Sequence, residues 1–388
     1  MRTPSVGRLL GTSLVARMPN GMSSLAILLL VTRHNGYGRA GLVTGLYVAA
    51  AGASNLVLAR AADRIGPRRI LVPAAVGYAV GMIALALVPA DAYLAELLVA
   101  AAAGLTSPPV VSVVRGLWPR MLEPAVAQAV YGLEATAQEL IFMLGPALVA
   151  VMAGLAGSPL AVALTGLLAL IGTLAFAATP VLATPERPAV KVRRRLLRGT
   201  RLPAYVAVGV AITIAFNMCD VAVVAFVSGR HASAGAGVVL AVWSLGSLLG
   251  GLVFGAGAAR VDDPAVARSV AAIALAVAAA AAAPGNVGLA VIMFFGGATI
   301  APGLARLYTR VGAVAPGGAS TEAFGWMAVG LLVGSSIGAA LGGLTVDTFG
   351  ARVTFLLAGA APAVGAVGFF GWLRGRDDPE LARQPLAS

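Results

Sequence analysis

The sequence predicts an all-α integral membrane protein, with twelve transmembrane helices arranged as two pseudo-symmetric six-helix bundles. Three observations carry this expectation. Of 388 residues, 59% are hydrophobic and only 11% are charged, against about 25% charged in a soluble chain. Burial of a core does not explain that deficit, because a soluble protein of this length still needs a charged surface. The apolar residues also collect into twelve segments, most of them about 19–25 residues long, enough for a helix to cross a hydrocarbon layer of about 30 Å. Finally, seven basic residues between Arg187 and Arg201 divide the segments six and six.

In chain order, the first segment, Leu9–Val31, lacks a small-residue cleavage site and is followed by further spans, so it reads as a retained helix. Ala40–Leu58 and Ile70–Ala90 flank a short turn rich in arginine. Ala92–Val114 carries Pro108-Pro109, and the long fifth span, Ala125–Leu155, carries Gly145-Pro146. Leu160–Ala178 completes the first half. After the basic run come Ala204–Val227, Gly235–Gly257, the short Ala-rich Ala265–Ala283, Val287–Leu307 with Gly296-Gly297 and Pro302, Ala323–Val346 and Val353–Leu373. Gly and Pro inside such segments suit membrane helices, where neighbouring helices satisfy the backbone they free. The expected division is residues 1–178 as the first bundle, 179–203 as a basic linker, 204–373 as the second bundle and 374–388 as a tail.

Charge sets the expected orientation. The even-numbered gaps, the span ends beside them and both termini hold 22 of the 27 basic residues: two at the N-terminus, four, two, seven, two (counting Arg268) and two (counting Arg306) at the successive even gaps, and three in the tail. Odd gaps hold Arg33, Arg39, Arg230 and Arg352, and Arg17 lies within the first span. Basic loops stay on the cytoplasmic side, so both termini and the central run are expected there, in a multi-pass protein of the cell membrane. An odd number of spans would spoil the alternation. The same placement explains the net charge of +12 without nucleic acid, for which no aromatic–basic surface module is visible. The basic run is also a contact for anionic lipid.

Several function classes are excluded or disfavoured. Cys219 is the only cysteine, so neither an intrachain disulfide nor a thiolate metal cluster is available. His34 and His231, the only histidines, fall in short polar loops away from other metal-ligating residues. Lys191, the only lysine, sits in Ala-Val-Lys-Val and not after a Gly-rich turn, so the chain has no phosphate-binding loop of the Walker type. No metal, no cofactor and no enzymatic nucleophile–base pair is expected.

A weak internal repeat supports the two halves. Glu134-Ala135 precedes Gly154 by the same spacing as Glu322-Ala323 precedes Gly342, and the offset is 188 residues. Two parallel repeats about an axis along the membrane normal would produce it.

The second gap reads Asp63-Arg64-Ile65-Gly66-Pro67-Arg68-Arg69. Gly66 can leave the right-handed region to end one helix and reverse the chain, and Asp63 can accept from a helix N-terminus or pair with arginine. This loop, after the second of twelve spans, resembles the conserved loop of the major facilitator superfamily, with Asp63, Arg64, Gly66, Arg68 and Arg69 matching. Ala59 stands where the family has a leading glycine, and Pro67 replaces a basic residue. The resemblance implies the major facilitator fold, and a role for these five residues in latching the two halves in one conformation. Gly145-Pro146 is similar to the antiporter element of proton-coupled exporters in that superfamily, with Pro146 bending the fifth helix. The match is partial: Ile141 and Val149-Ala150 stand in place of glycines, and Ala100 stands where such exporters often carry an arginine in the fourth span.

Ionisable residues within membrane spans are costly and usually functional. Arg17, Glu134, Glu139 and Asp220 are the clearest, with Asn217 one turn before Asp220. Arg17 lies about 12 Å into the first helix and Glu134 about 14 Å into the fifth, so an Arg17–Glu134 ion pair is expected. Glu139 lies about 140° around its helix from Glu134 and faces elsewhere. Glu96 and Glu322 lie near span ends and read as interfacial. A carboxyl in a low-dielectric cavity can exchange protons near neutral pH, as coupling to a proton gradient requires; ion pairing or hydrogen-bonded glue between helices is the other role open to each.

The resemblance therefore implies a monomeric secondary transporter that moves a small apolar or amphipathic compound outward against protons by alternating access. Two readings stay beside it: proton-coupled uptake of a small metabolite, and a non-transporting membrane scaffold or receptor.

Overall fold

The computed structural model describes residues 4–121, 124–183, 201–227, 232–254, 262–314 and 320–374. Among them every regular element is helical: α1 (Pro4–Arg17), α2 (Pro19–Val31), α3 (Tyr37–Ile65), α4 (Pro67–Leu87), α5 (Tyr93–Leu105), α6 (Val110–Met121), α7 (Pro124–Ala156), α8 (Ser158–Ala177), α9 (Leu202–Phe226), α10 (Ala232–Phe254), α11 (Asp263–Ala279), α12 (Asn286–Gly297), α13 (Ile300–Val314) and α14 (Ser320–Arg374). Ten stretches are long and apolar enough to cross a membrane; one of them, Ala323–Gly368, has 46 residues and holds two crossings, and α7 adds the shorter apolar stretch Leu140–Ala156. Together these make twelve crossings, as expected. Of the basic run, only Arg201 lies within the described residues.

Three expected single helices are broken, each where the backbone ladder is interrupted. Met18 separates α1 from α2, because Pro19 supplies no N–H and crowds the preceding turn. Ser107-Pro108-Pro109 separate α5 from α6, and Ala298-Thr299 separate α12 from α13 after Gly296-Gly297. In contrast, α14 contains both the eleventh and twelfth spans. They meet at Gly350, whose φ of 78° an L side chain rarely adopts. Thr354 Oγ1 donates to Thr345 Oγ1 across that reversal at 3.1 Å. Gly66, with φ 101°, likewise ends α3 and starts α4.

Within the first half α4 packs on α8, α3 on α5, and α2 on α7 and α8. Within the second, α9 packs on α14, α10 on α12, and α11 on α14. Two seams join the halves: α3 against the eleventh-span arm of α14, and α7 against α10. Large apolar side chains such as Leu87, Leu98, Leu155, Leu275, Val364 and Val367 stay exposed. In a bilayer they face lipid, which is as apolar as a protein core.

Candidate functional site

The seams set the geometry. One end of the bundle carries the turns at 32–36, 88–92, Gly157 and Gly350; the opposite, basic end carries Arg60, Arg64, Arg68, Arg69, Arg268, Arg306 and Arg310. The α3 seam starts at the turn end, where a Cβ on Gly41 would lie 2.4 Å from the Ala339 carbonyl oxygen and one on Gly45 would lie 2.7 Å from that of Ser336. Further inward, a Cβ on Gly52 would lie 3.1 Å from Leu332 Cδ1. The α7–α10 seam runs from Ala150 and Gly237 to Phe142 and Ser244. These contacts all lie between the turn end and the middle of the bundle.

Pro146 shapes the second seam. It has no N–H to give to the Phe142 carbonyl one turn earlier, and Ser244 Oγ of α10 donates to that freed oxygen at 3.1 Å. A Cβ on the adjacent Gly145 would meet the Gly21 carbonyl carbon of α2 at 2.6 Å, and one on Gly237 would meet the Pro146 oxygen at 2.7 Å. The Gly145-Pro146 pair therefore sits between α2 on one side and α10 of the other half on the other.

Arg17 ends α1 just before the break at Met18 and is only 1% exposed. Its guanidinium Nη2 donates to Gln138 Oε1 of α7. Gln138 lies four residues, about one turn, beyond Glu134 along α7. The side chains of Glu134 and Glu139 themselves lie outside the described residues, as does that of Asp63. Gln138 escaped the sequence reading because only ionisable residues signal cost at membrane depth.

On α9, Thr213, Asn217 and Asp220 fall on one face and are each partly exposed. Asn217 Nδ2 donates to the Thr213 carbonyl at 3.0 Å, and this strip of α9 packs on the eleventh-span arm of α14, where a Cβ on Gly334 would meet Thr213 Oγ1 at 2.2 Å and one on Gly338 would meet Asn217 Cβ at 3.0 Å. Phe216, on the neighbouring strip of α9, packs edge-on to Trp243 of α10 at 5.5 Å. Arg64, Arg68 and Arg69 are exposed around Gly66 at the basic end.

Two polar clusters were not legible as such. Glu96, read as interfacial, is buried; it accepts from Asn35 Nδ2 at 3.2 Å, while Arg39 donates to Asn35 Oδ1 at 3.0 Å and lies 5.0 Å over the Tyr93 ring. At the basic end Asp263 accepts from Arg310 at 2.6 Å, from Arg201 at 3.1 Å and from the Tyr205 hydroxyl, tying α9, α11 and α13 together. Both join residues from loops and helix ends far apart in sequence.

Similarity to known proteins agrees with this architecture. The profile of the Major Facilitator Superfamily matches residues 9–284 and again 231–388. No curated protein matches the sequence. Two solved structures of the nucleoside transporter NupG share the fold at 14% identity. The D323A mutant superposes with a TM-score of 0.75, covering 94% of this chain and 98% of the other. NupG itself superposes with 0.71, covering 95% and 99%. A profile match over almost the whole chain, on twelve crossings joined by two seams, means that the chain belongs to the major facilitator superfamily and is a membrane transporter, not an enzyme.

Proposed function

We propose that this transporter exports a small apolar or amphipathic compound in exchange for protons, by rocking of its two bundles. The observation that carries the reading is the geometry of the seams. Among the described residues, the contacts named between the halves lie between the turn end and the middle of the bundle, and the polar strip Thr213, Asn217 and Asp220 of α9 lies against or next to the eleventh span that forms one seam. The charge bias supports a cytoplasmic basic end and cytoplasmic termini in the cell membrane; the conformation is then closed outside and faces inward. Residues 1–178 and 204–373 would be the rocking units, with 179–203 as their tether.

In this cycle one or more of Glu134, Glu139 and Asp220 takes a proton from outside and releases it inside. Arg17 biases the charge state of the α7 face that it meets. The membrane potential supplies about 2.3 kcal/mol per charge per 100 mV, enough for substantial accumulation. Asp63, Arg64, Gly66, Arg68 and Arg69 would latch the basic end in the opposite, outward-facing state. Gly145-Pro146, packed between α2 and α10, favours the exporter assignment.

The second reading is proton-coupled uptake. The likeness to the nucleoside transporter NupG favours it, and the incomplete antiporter element weakens the first. Everted vesicles separate the two. Under exchange, adding substrate to energised vesicles drives protons out of the lumen as substrate enters; under symport both leave together. Transport whose pH dependence is unchanged in Glu134→Gln, Glu139→Gln and Asp220→Asn alike would refute the proton role.

A further inference from the structure

We infer that Asp347 is a state-dependent latch that locks the turn end shut, and that its turn is the counterpart, at that end, of the turn around Gly66. Asp347 belongs to the second half, near the end of the eleventh span. Its carboxylate accepts from two backbone N–H groups of the first half: Tyr37 N–H to Oδ1 at 2.9 Å and Gly38 N–H to Oδ2 at 2.6 Å. Tyr37 and Gly38 are the first residues of α3, where N–H groups have no helical acceptor. The residue before them is Gly36, which has no side chain to cap its own helix. The cap is therefore supplied by the other bundle, where the helix dipole also favours a negative charge. Such a cap exists only while the two halves touch at this end.

The surrounding residues are fitted to it. A Cβ on either Gly36 or Gly38 would stand 2.8 Å from Asp347 Oδ2. A Cβ on Gly343, one turn before Asp347, would stand 2.2 Å from the Tyr37 carbonyl oxygen. Ser336 Oγ donates to the Gly45 carbonyl at 2.7 Å further along the same seam. Arg352 holds the latch within its own half: it donates to the Ala281 and Ala283 carbonyls at 2.8 and 3.0 Å and lies 5.4 Å over the Phe226 ring.

The sequence repeats the device. Asp63-Arg64-Ile65-Gly66-Pro67-Arg68 and Asp347-Thr348-Phe349-Gly350-Ala351-Arg352 share an aspartate, a glycine three residues on and an arginine two further. Both glycines have positive φ, and both reverse the chain between two spans. The two helices run in opposite directions, so each aspartate lies at the end where the other helix begins: Asp347 beside the start of α3, Asp63 at the end that holds the start of α14. The inference rests on Asp347, whose contacts are described, and needs neither the substrate nor the proton coupling proposed above.

The test uses the full-length protein in lipid nanodiscs without substrate. With Cys219→Ala as background, spin labels at His34→Cys and Asn286→Cys report the separation of the halves at the turn end; both sites are exposed. Losing two charge-assisted hydrogen bonds in Asp347→Ala should raise the population with this end open by on the order of tenfold. Gly38→Ala should do the same, because its methyl group meets the carboxylate. Added to Asp347→Ala it should do little more, since the next atom, Leu344 Cδ2, is 3.6 Å away. Asp347→Asn keeps one acceptor and should fall between; with Gly38→Ala it decides the matter should Asp347→Ala not fold. A distance distribution unchanged in Asp347→Asn and Gly38→Ala, or a full Gly38→Ala effect persisting in Asp347→Ala, would overturn the latch.

Discussion

Gly237→Ala inserts one carbon into the seam between the halves, and its consequence can be worked from the structure. The new methyl would stand 2.1 Å from Ala150 Cβ and 2.7 Å from the Pro146 oxygen. Carbon atoms settle at about 3.5–4.0 Å, so α7 and α10 must part by roughly 1.5 Å if that contact is to be normal. Overpacking of this kind costs about 1–3 kcal/mol in a rigid core. Here the two helices belong to different rocking units, and the strain is relieved by opening the turn end. The conformational equilibrium should therefore move by about 5–150-fold toward the open state, with little change in melting temperature. Gly246→Ala is the control: it lies on the same helix and its methyl would stand 2.0 Å from the Phe294 oxygen, inside one half. That variant should melt earlier without changing the separation of the halves. Spin-label distances across the turn end, read beside thermal unfolding, distinguish the two. If Gly237→Ala lowers the melting temperature as Gly246→Ala does and leaves the distances alone, the seam is part of a rigid core and the rocking argument fails.

Three further outcomes are expected. Arg17→Met should destabilise the fold by about 1–3 kcal/mol, because it leaves the Gln138 side-chain oxygen of α7 without this donor; thermal unfolding in detergent measures it, with a smaller loss for Arg17→Lys. Ser244→Ala should weaken the second seam by about 0.5–1.5 kcal/mol. In a Pro146→Ala background, where residue 146 again supplies an N–H to the Phe142 carbonyl, that effect should vanish, which a double-mutant cycle on the distance distribution reads directly. Asp263→Ala should cost about 1–3 kcal/mol of stability by leaving Arg201, Arg310 and Tyr205 without their shared acceptor, and Tyr205→Phe should cost less.

Much of the fold was legible because every crossing helix must be apolar along its whole length. The twelve spans and the reversal at Gly66 were readable from residue type. The breaks at Met18, at Pro108-Pro109 and at Ala298-Thr299 were harder, since Pro and Gly also occur in unbroken membrane helices, as Pro146 within α7 demonstrates. At the site, Arg17 and Asp220 announced themselves by charge. Gln138 and Ser244 did not: a neutral polar residue in a span reveals no partner. Nothing in the sequence singles out Asp347, because the donors to its carboxylate are backbone amides 309 and 310 residues away.

The sequence by itself determined what each segment does alone: whether it enters the membrane, how many times the chain crosses, and which gaps carry the basic charge. Those are one-body properties, fixed by the transfer free energy of each segment. Which helices meet, which end of the bundle is closed and which carbonyl Ser244 or which amides Asp347 finds were decided only in the tertiary structure. Lipid and a neighbouring helix are almost equally apolar, so hydropathy does not say which of them a face will touch. That choice rests on close approach at glycines such as Gly41, Gly237 and Gly343, and on backbone groups left open at a helix start or a proline.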